Sequence, residues 1–227
     1  MTSACWRGTV VGVEALRRCP RCGTPARDPD VWSAAWTCAR HGPVEPLHPF
    51  GQPTAALTTY VAERARVPLW VPWPLPAGWL VTGVGHAGAD AQGASATVLA
   101  CSGPNPLGGP ADLLLVAEEP TVGLGASYAA LTGADPGETF DGTPPHAKAQ
   151  VGGHPVPLWN LPGPVDRAVY VGEAEGCWLW LILHPASAGA LLAERLRLAD
   201  VRDLGAEVEM IPFGALSPRV HLTPPTG

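Results

Sequence analysis

Residues 19–41 run Cys19-Pro20-Arg21-Cys22-Gly23, then on to Cys38-Ala39-Arg40-His41. Each pair of ligand-type residues has two residues between its members, and fifteen residues separate the pairs. A Cys-x-x-Cys turn aims two thiolates at one point, and a second pair at the same spacing completes a tetrahedron. That is the layout of a structural zinc site. The spacing predicts zinc on Cys19, Cys22, Cys38 and His41, in a small ribbon over residues 16–50. Gly23 permits the tight backbone after Cys22, and Trp36 is placed to cover one side. His48 and Cys5 are the substitutes for the fourth position. Four protein ligands leave no open position for water, so the expected role is structural and not catalytic.

Thiolate ligands persist best under reducing conditions, which points to the cytoplasm and away from a disulfide framework. The apolar stretch Thr9–Val13 is too short for a signal peptide and is followed by Glu14. Gly176–Ala193 is uncharged over nearly a membrane-span length. His184-Pro185 interrupts it, so it reads as a buried strand, a turn and a helix.

With 46% hydrophobic and 15% charged residues the chain must bury a core. Twenty-seven glycines and 27 prolines favour short elements joined by turns over a helical bundle. The formal net charge of -6 is uneven. Residues 1–50 carry six arginines against four carboxylates, so the remaining chain is strongly acidic. An acidic body argues against nucleic-acid binding by the whole protein, because phosphate contacts need clustered Lys or Arg.

Residues 1–15 read as an extension. Residues 51–66 form a connecting helix, capped by Thr54 with Leu57 and Val61 on one face. Residues 67–220 form an α+β domain, and 221–227 a tail. In Leu69–Pro76 alternating prolines remove backbone donors and exclude a regular central strand. Trp70, Trp73 and Trp79 then lie in extended, exposed chain and offer an aromatic surface to a protein partner. Strands are expected from Gly78 to about Val84 and over Ala96–Ser102 and Ala111–Ala117, with a short helix at 124–131. Ala168–Ala174 and Cys177–Leu183 flank Glu175-Gly176, the signature of a two-residue hairpin turn. The second strand is apolar on both faces and belongs mid-sheet. Ser187 can cap a helix carrying Leu191, Leu192, Arg195 and Leu196, and Glu207–Pro212 alternates like a strand with Val208 and Met210 inward. The fold class is α+β: a small N-terminal zinc ribbon, then a largely antiparallel sheet with a few packed helices.

Other chemistry is sparse. Gly103–Pro110 and Gly123–Gly125 lack the residues of phosphate-binding loops, and no Gly-x-Ser-x-Gly elbow occurs. Cys101-Ser102 ends a strand where a nucleophile can sit, and His184 ends the central strand. An enzyme of the acyl- or phosphoryl-transfer class near Cys101 and His184 is one alternative. Asp200 and Asp203 share a helical face. His86, His146, His154 and His221 are scattered without metal spacing.

Cys19-Pro-Arg-Cys22, Val67–Trp79, Ala100–Gly109 and Gly214-Ala-Leu-Ser-Pro-Arg219 together resemble an uncharacterised actinobacterial family with an N-terminal zinc ribbon. Some of its members carry the name phosphotransacetylase, but no coenzyme or phosphate motif of such enzymes is found in the chain. The resemblance implies cytoplasmic actinobacterial origin and a zinc head, and transfers no catalytic residue. The succession of Leu75-Pro76-Ala77-Gly78-Trp79, a sheet, a hairpin ending in a Trp-rich strand and a Leu-rich helix is also similar to domains of bacterial sigma-factor regulatory proteins. The favoured reading is a cytoplasmic adaptor or regulatory protein that binds another protein and is not an enzyme. A nucleic-acid-binding ribbon using Arg17, Arg18, Arg21, Arg27 and Arg40 is the third class. No membrane partner is expected.

Overall fold

The computed structural model describes residues 16–89, 91–194 and 196–222. The expected extension 1–15, with Cys5, and most of the expected tail lie outside them. The elements in chain order are β1 (Thr37–Cys38), β2 (Gly42–Pro43), α1 (Ala55–Arg64), β3 (Trp70–Pro72), β4 (Leu80–Ala87), β5 (Ala96–Pro104), β6 (Pro110–Glu118), α2 (Leu124–Tyr128), β7 (Ala147–Val151), β8 (His154–Leu161), β9 (Ala168–Ala174), β10 (Cys177–His184), β11 (Arg197–Asp200) and α3 (Val201–Leu204). Among the described residues β1 and β2 pair alone, and the rest form a nine-stranded sheet in the order β3-β11-β7-β8-β9-β10-β6-β5-β4. Every neighbouring pair is antiparallel except β11 with β7. The fold is mixed α+β with a curled, antiparallel-rich sheet.

The β9–β10 hairpin forms where expected. Glu175 and Gly176 both take positive φ (54° and 74°), the pair of conformations a tight hairpin turn needs. β10 is central, between β9 and β6. Its odd residues Leu179, Leu181 and Leu183 enter the inner core, with Leu99, Leu113, Leu158 and Leu198. Its even residues Trp180 and Ile182 enter a second core on the other face, under α2 and Tyr128. Both faces are therefore dry, which explains the uninterrupted apolar run.

β8 pairs with β7 over His154–Leu158 but with β9 only over Trp159–Leu161. This handover curls the sheet. β7 and β8 have no counterpart among the expected strands, and β8 carries Pro155 and Pro157. Both prolines sit where the missing N–H would point away from β7, so the ladder loses nothing there.

Three expectations are corrected. Ala186–Ala193 is a 3-10 helix begun at Pro185, not an α-helix capped by Ser187, and Arg195 lies outside the described residues. Leu196 leaves it buried, and Arg197–Asp200 becomes a strand wedged between β3 and β7. Gly205–Met210 is a 3-10 helix, with Val208 buried and Met210 74% exposed. Its inward residues are Val208 and Ile211, three apart as a three-residue turn requires. Asp200 and Asp203 do not form a solvated pair, since Asp200 is buried and caps α3 by accepting from the Arg202 amide.

Trp70 and Trp79 are buried at 2% and 3% exposure, so the aromatic surface expected at these positions is absent. The proline-rich chain does stay out of the sheet centre. It supplies the edge strand β3, whose Trp70 turns inward to the core. Trp79 packs over Gly103, where a Cβ would stand 2.4 Å from the indole. Trp73 remains half-buried and donates its indole N–H to Glu207 at 2.8 Å.

α2 is held against β10 by the absence of a side chain. A Cβ on Gly125 would lie 2.3 Å from Cδ1 of the fully buried Trp180. Gly125→Ala is expected to destabilise the protein by about 1–3 kcal/mol through overpacking, read as a lowered urea midpoint. An unchanged midpoint would show that α2 can shift freely.

Candidate metal centre

Cys19 begins a tight knuckle: the Gly23 amide donates to the Cys19 carbonyl and the Cys19 amide to the Thr24 carbonyl, both at 2.8 Å. Gly23 has φ 68°, the left-handed conformation that turn needs. The second pair lies on the β1–β2 hairpin, where Cys38 faces Gly42. The Arg27 and Thr37 backbones hydrogen-bond each other and tie the two pairs together.

These turns bring the four expected ligands to one point. Their donor atoms all lie within 4.8 Å of one another. Cys22 Sγ is 3.8 Å from Cys38 Sγ, and His41 Nδ1 is 3.4 Å from Cys19 Sγ and 3.7 Å from Cys38 Sγ. A tetrahedral ion with metal–sulfur bonds of about 2.3 Å and metal–nitrogen bonds of about 2.0 Å has edges of about 3.8 and 3.5 Å. The cluster fits such an ion, and the cysteines form no disulfide among the described residues. Burial pushes the Cys19 thiol up. At Cys38 burial acts in the same sense but is outweighed by the Arg40 and His41 amides and the Thr24 hydroxyl, and the thiol is pulled down. Of these two, Cys38 more readily becomes the thiolate that metal binding needs.

The surroundings differ in detail from expectation. Val44, not Trp36, packs on the three thiols. Trp36 instead carries the Arg17 guanidinium over its ring at 4.8 Å. His48 is no ligand: it stacks on His86 at 4.1 Å and its Nε2 is 2.9 Å from the Gly88 carbonyl. The head docks on the sheet through backbone pairing of Leu47 with Ala87 and through Arg21, which donates to the Val122 and Thr121 carbonyls.

Cys101 and His184 do not form one site. Register places Cys101 beside Leu113 and Leu183, and Ser102 beside Asp112 and His184. Cys101 therefore points into the inner core, fully buried with its thiol pushed up by burial, while His184 points to the opposite face. His146 accepts from the Asn160 amide through Nδ1 at 3.1 Å. The feature that sequence reading missed in the head is Trp32, which is 92% exposed beside Val31 at 91%. No periodicity marks so short a turn.

The profile of DUF6758, a family of unknown function, matches residues 13–220 and so spans the head and the sheet together. The chain belongs to this family. No curated protein and no solved structure shows significant similarity to it. Among the described residues no helix is long and apolar enough to cross a membrane.

Proposed function

We propose that this member of DUF6758 is a cytoplasmic adaptor or regulatory protein in which zinc, held by Cys19, Cys22, Cys38 and His41, stiffens a ribbon that docks on a protein partner. Zinc suits three thiolates and an imidazole at tetrahedral spacing, and four protein donors leave no place for a reacting water.

The observation that carries the partner reading is the turn at residues 30–33. The Asp30 carboxylate accepts from the amides of Trp32 and Ser33 at 2.8 and 2.9 Å, and the Asp30 and Ser33 backbones bond each other. A turn so pinned holds Val31 and Trp32 outward, where burying them would gain free energy. Tryptophan is among the side chains that most often anchor interfaces. This tip replaces the surface of Trp70, Trp73 and Trp79 expected from sequence. Arg17 and Arg21 are spent within the protein, which disfavours a nucleic-acid role for the head.

Affinity capture with mass spectrometry tests the reading. Wild type and Trp73→Ala should enrich the same protein, and Trp32→Ala should lose it, with affinity falling about 30-fold for a 2 kcal/mol anchor. Equal enrichment by Trp32→Ala would refute the proposed surface.

A further inference from the structure

At one end of the outer sheet face lies a cavity of about 260 Å³. Arg167, just before β9, His184 at the end of β10 and Arg219 in the turn Pro218–Val220 line it, with Ser127 and His221. Among its described lining residues none is acidic. Neither of the carboxylates that balance the two arginines lines the cavity. Asp166 accepts from Arg167 Nε and Nη2 at 2.8 and 3.0 Å, and Asp112 is 3.7 Å from Arg219 Nε.

Arg167 is pre-positioned. Its Nη1 also donates to the Tyr128 carbonyl at 2.6 Å, which leaves one N–H on each terminal nitrogen uncommitted. Arg219 makes only its ion pair with Asp112 through the side chain among the described residues. His184 is 3% exposed, yet its Nδ1 has no hydrogen-bond partner, the nearest carboxylate oxygen being 4.0 Å away on Asp166. A buried ring nitrogen without a partner is uncommon in a folded protein and calls for an explanation. Both guanidiniums lie near enough to act on the charge of this ring.

We propose that this cavity binds the tetrahedral oxyanion group of a small phosphorylated or sulfated molecule. Three donors from three separate segments match three oxygens of such a group, whereas a planar carboxylate offers only two. Guanidinium groups favour this pairing through charge-assisted bonds. The cavity lies just below the range for drug-sized ligands, so the rest of the molecule is small.

The test uses the full chain, with inorganic phosphate as probe at constant ionic strength, followed by calorimetry and by the His184 ring resonances. Saturable binding that shifts these resonances is expected, with sulfate competing. Arg219 is 46% exposed, so Arg219→Gln should fold normally and bind phosphate at least about tenfold more weakly, with Arg219→Lys between. Unmoved His184 resonances, equal affinity in Arg219→Gln, or acetate binding as tightly as phosphate would each overturn the proposal.

Discussion

Replacing Cys19 and Cys22 together by serine should abolish metal binding and unfold residues 16–50 while the sheet stays folded. Metal content should fall from one zinc per chain to none, and amides of the head should lose protection from exchange while those of β10 keep theirs. The effect is large because the apo head has almost nothing else to hold it. Its buried apolar cluster is three cysteines and part of Val44, and its two strands are two residues each. Structural zinc in small modules contributes about 10–16 kcal/mol, essentially all of it folding free energy. The sheet should survive because its two cores draw only Leu47 and Phe50 from this segment. Stoichiometric metal in the double variant, or purified wild type that carries iron or no metal, would exclude the zinc assignment.

Glu118→Gln should remove one of two opposed pH dependences of stability. Glu118 is fully buried, and its two oxygens accept from the Leu124 and Gly125 amides at 2.7 and 3.1 Å. Burial pushes its carboxyl up to about 7, with the two amides opposing. Folded Glu118 thus holds a proton that the unfolded chain, at 4.5, releases. The associated stability is fully present below pH 4.5 and lost as pH rises through 7. Its full extent is about 3 kcal/mol, at 1.36 kcal/mol for each pKa unit. His184 acts in the opposite sense. Burial, with Arg219 and Arg167, lowers it to about 4, and its contribution disappears as pH falls from 6.5 through that value. The two nearly cancel in the wild type, so the difference between proteins is the quantity to measure. The advantage of wild type over Glu118→Gln in urea unfolding should grow by about 2 kcal/mol from pH 7.5 to pH 5. A difference independent of pH would mean that Glu118 is ionised in the folded protein throughout. Glu118→Ala should show the same growth with falling pH, on top of about 3 kcal/mol for the two buried amides it strands.

Much of the sheet could be read from local pattern. Glu175-Gly176 between two β-runs announced its hairpin, and the unbroken apolar stretch of β10 announced its central place. The cluster of three cysteines and a histidine at residues 19–41 was legible for the same reason: a knuckle is closed by residues adjacent in sequence. The misreadings share a cause. Pro155 and Pro157 leave β8 without a strand pattern, although both sit on its unpaired side. Val208 and Met210 looked paired until the backbone turned with a period of three. Trp70 looked exposed because its neighbours are prolines, yet an edge strand still has an inward face.

Sequence alone determined the Cys/His cluster at residues 19–41, the central hairpin and the sheet-rich class, since each rests on spacing within a short stretch of chain. Tertiary structure alone decided the rest. Among the described residues Trp32, not Trp70, is the tryptophan left in solvent, because the curled sheet has an interior for one and none for the other. Cys101 and His184 are parted because the ladder sends them to opposite faces. Arg167, His184 and Arg219 meet around one cavity although up to 52 positions separate them in the chain. Only strand register and the return of the chain at Pro218–Val220 bring them together.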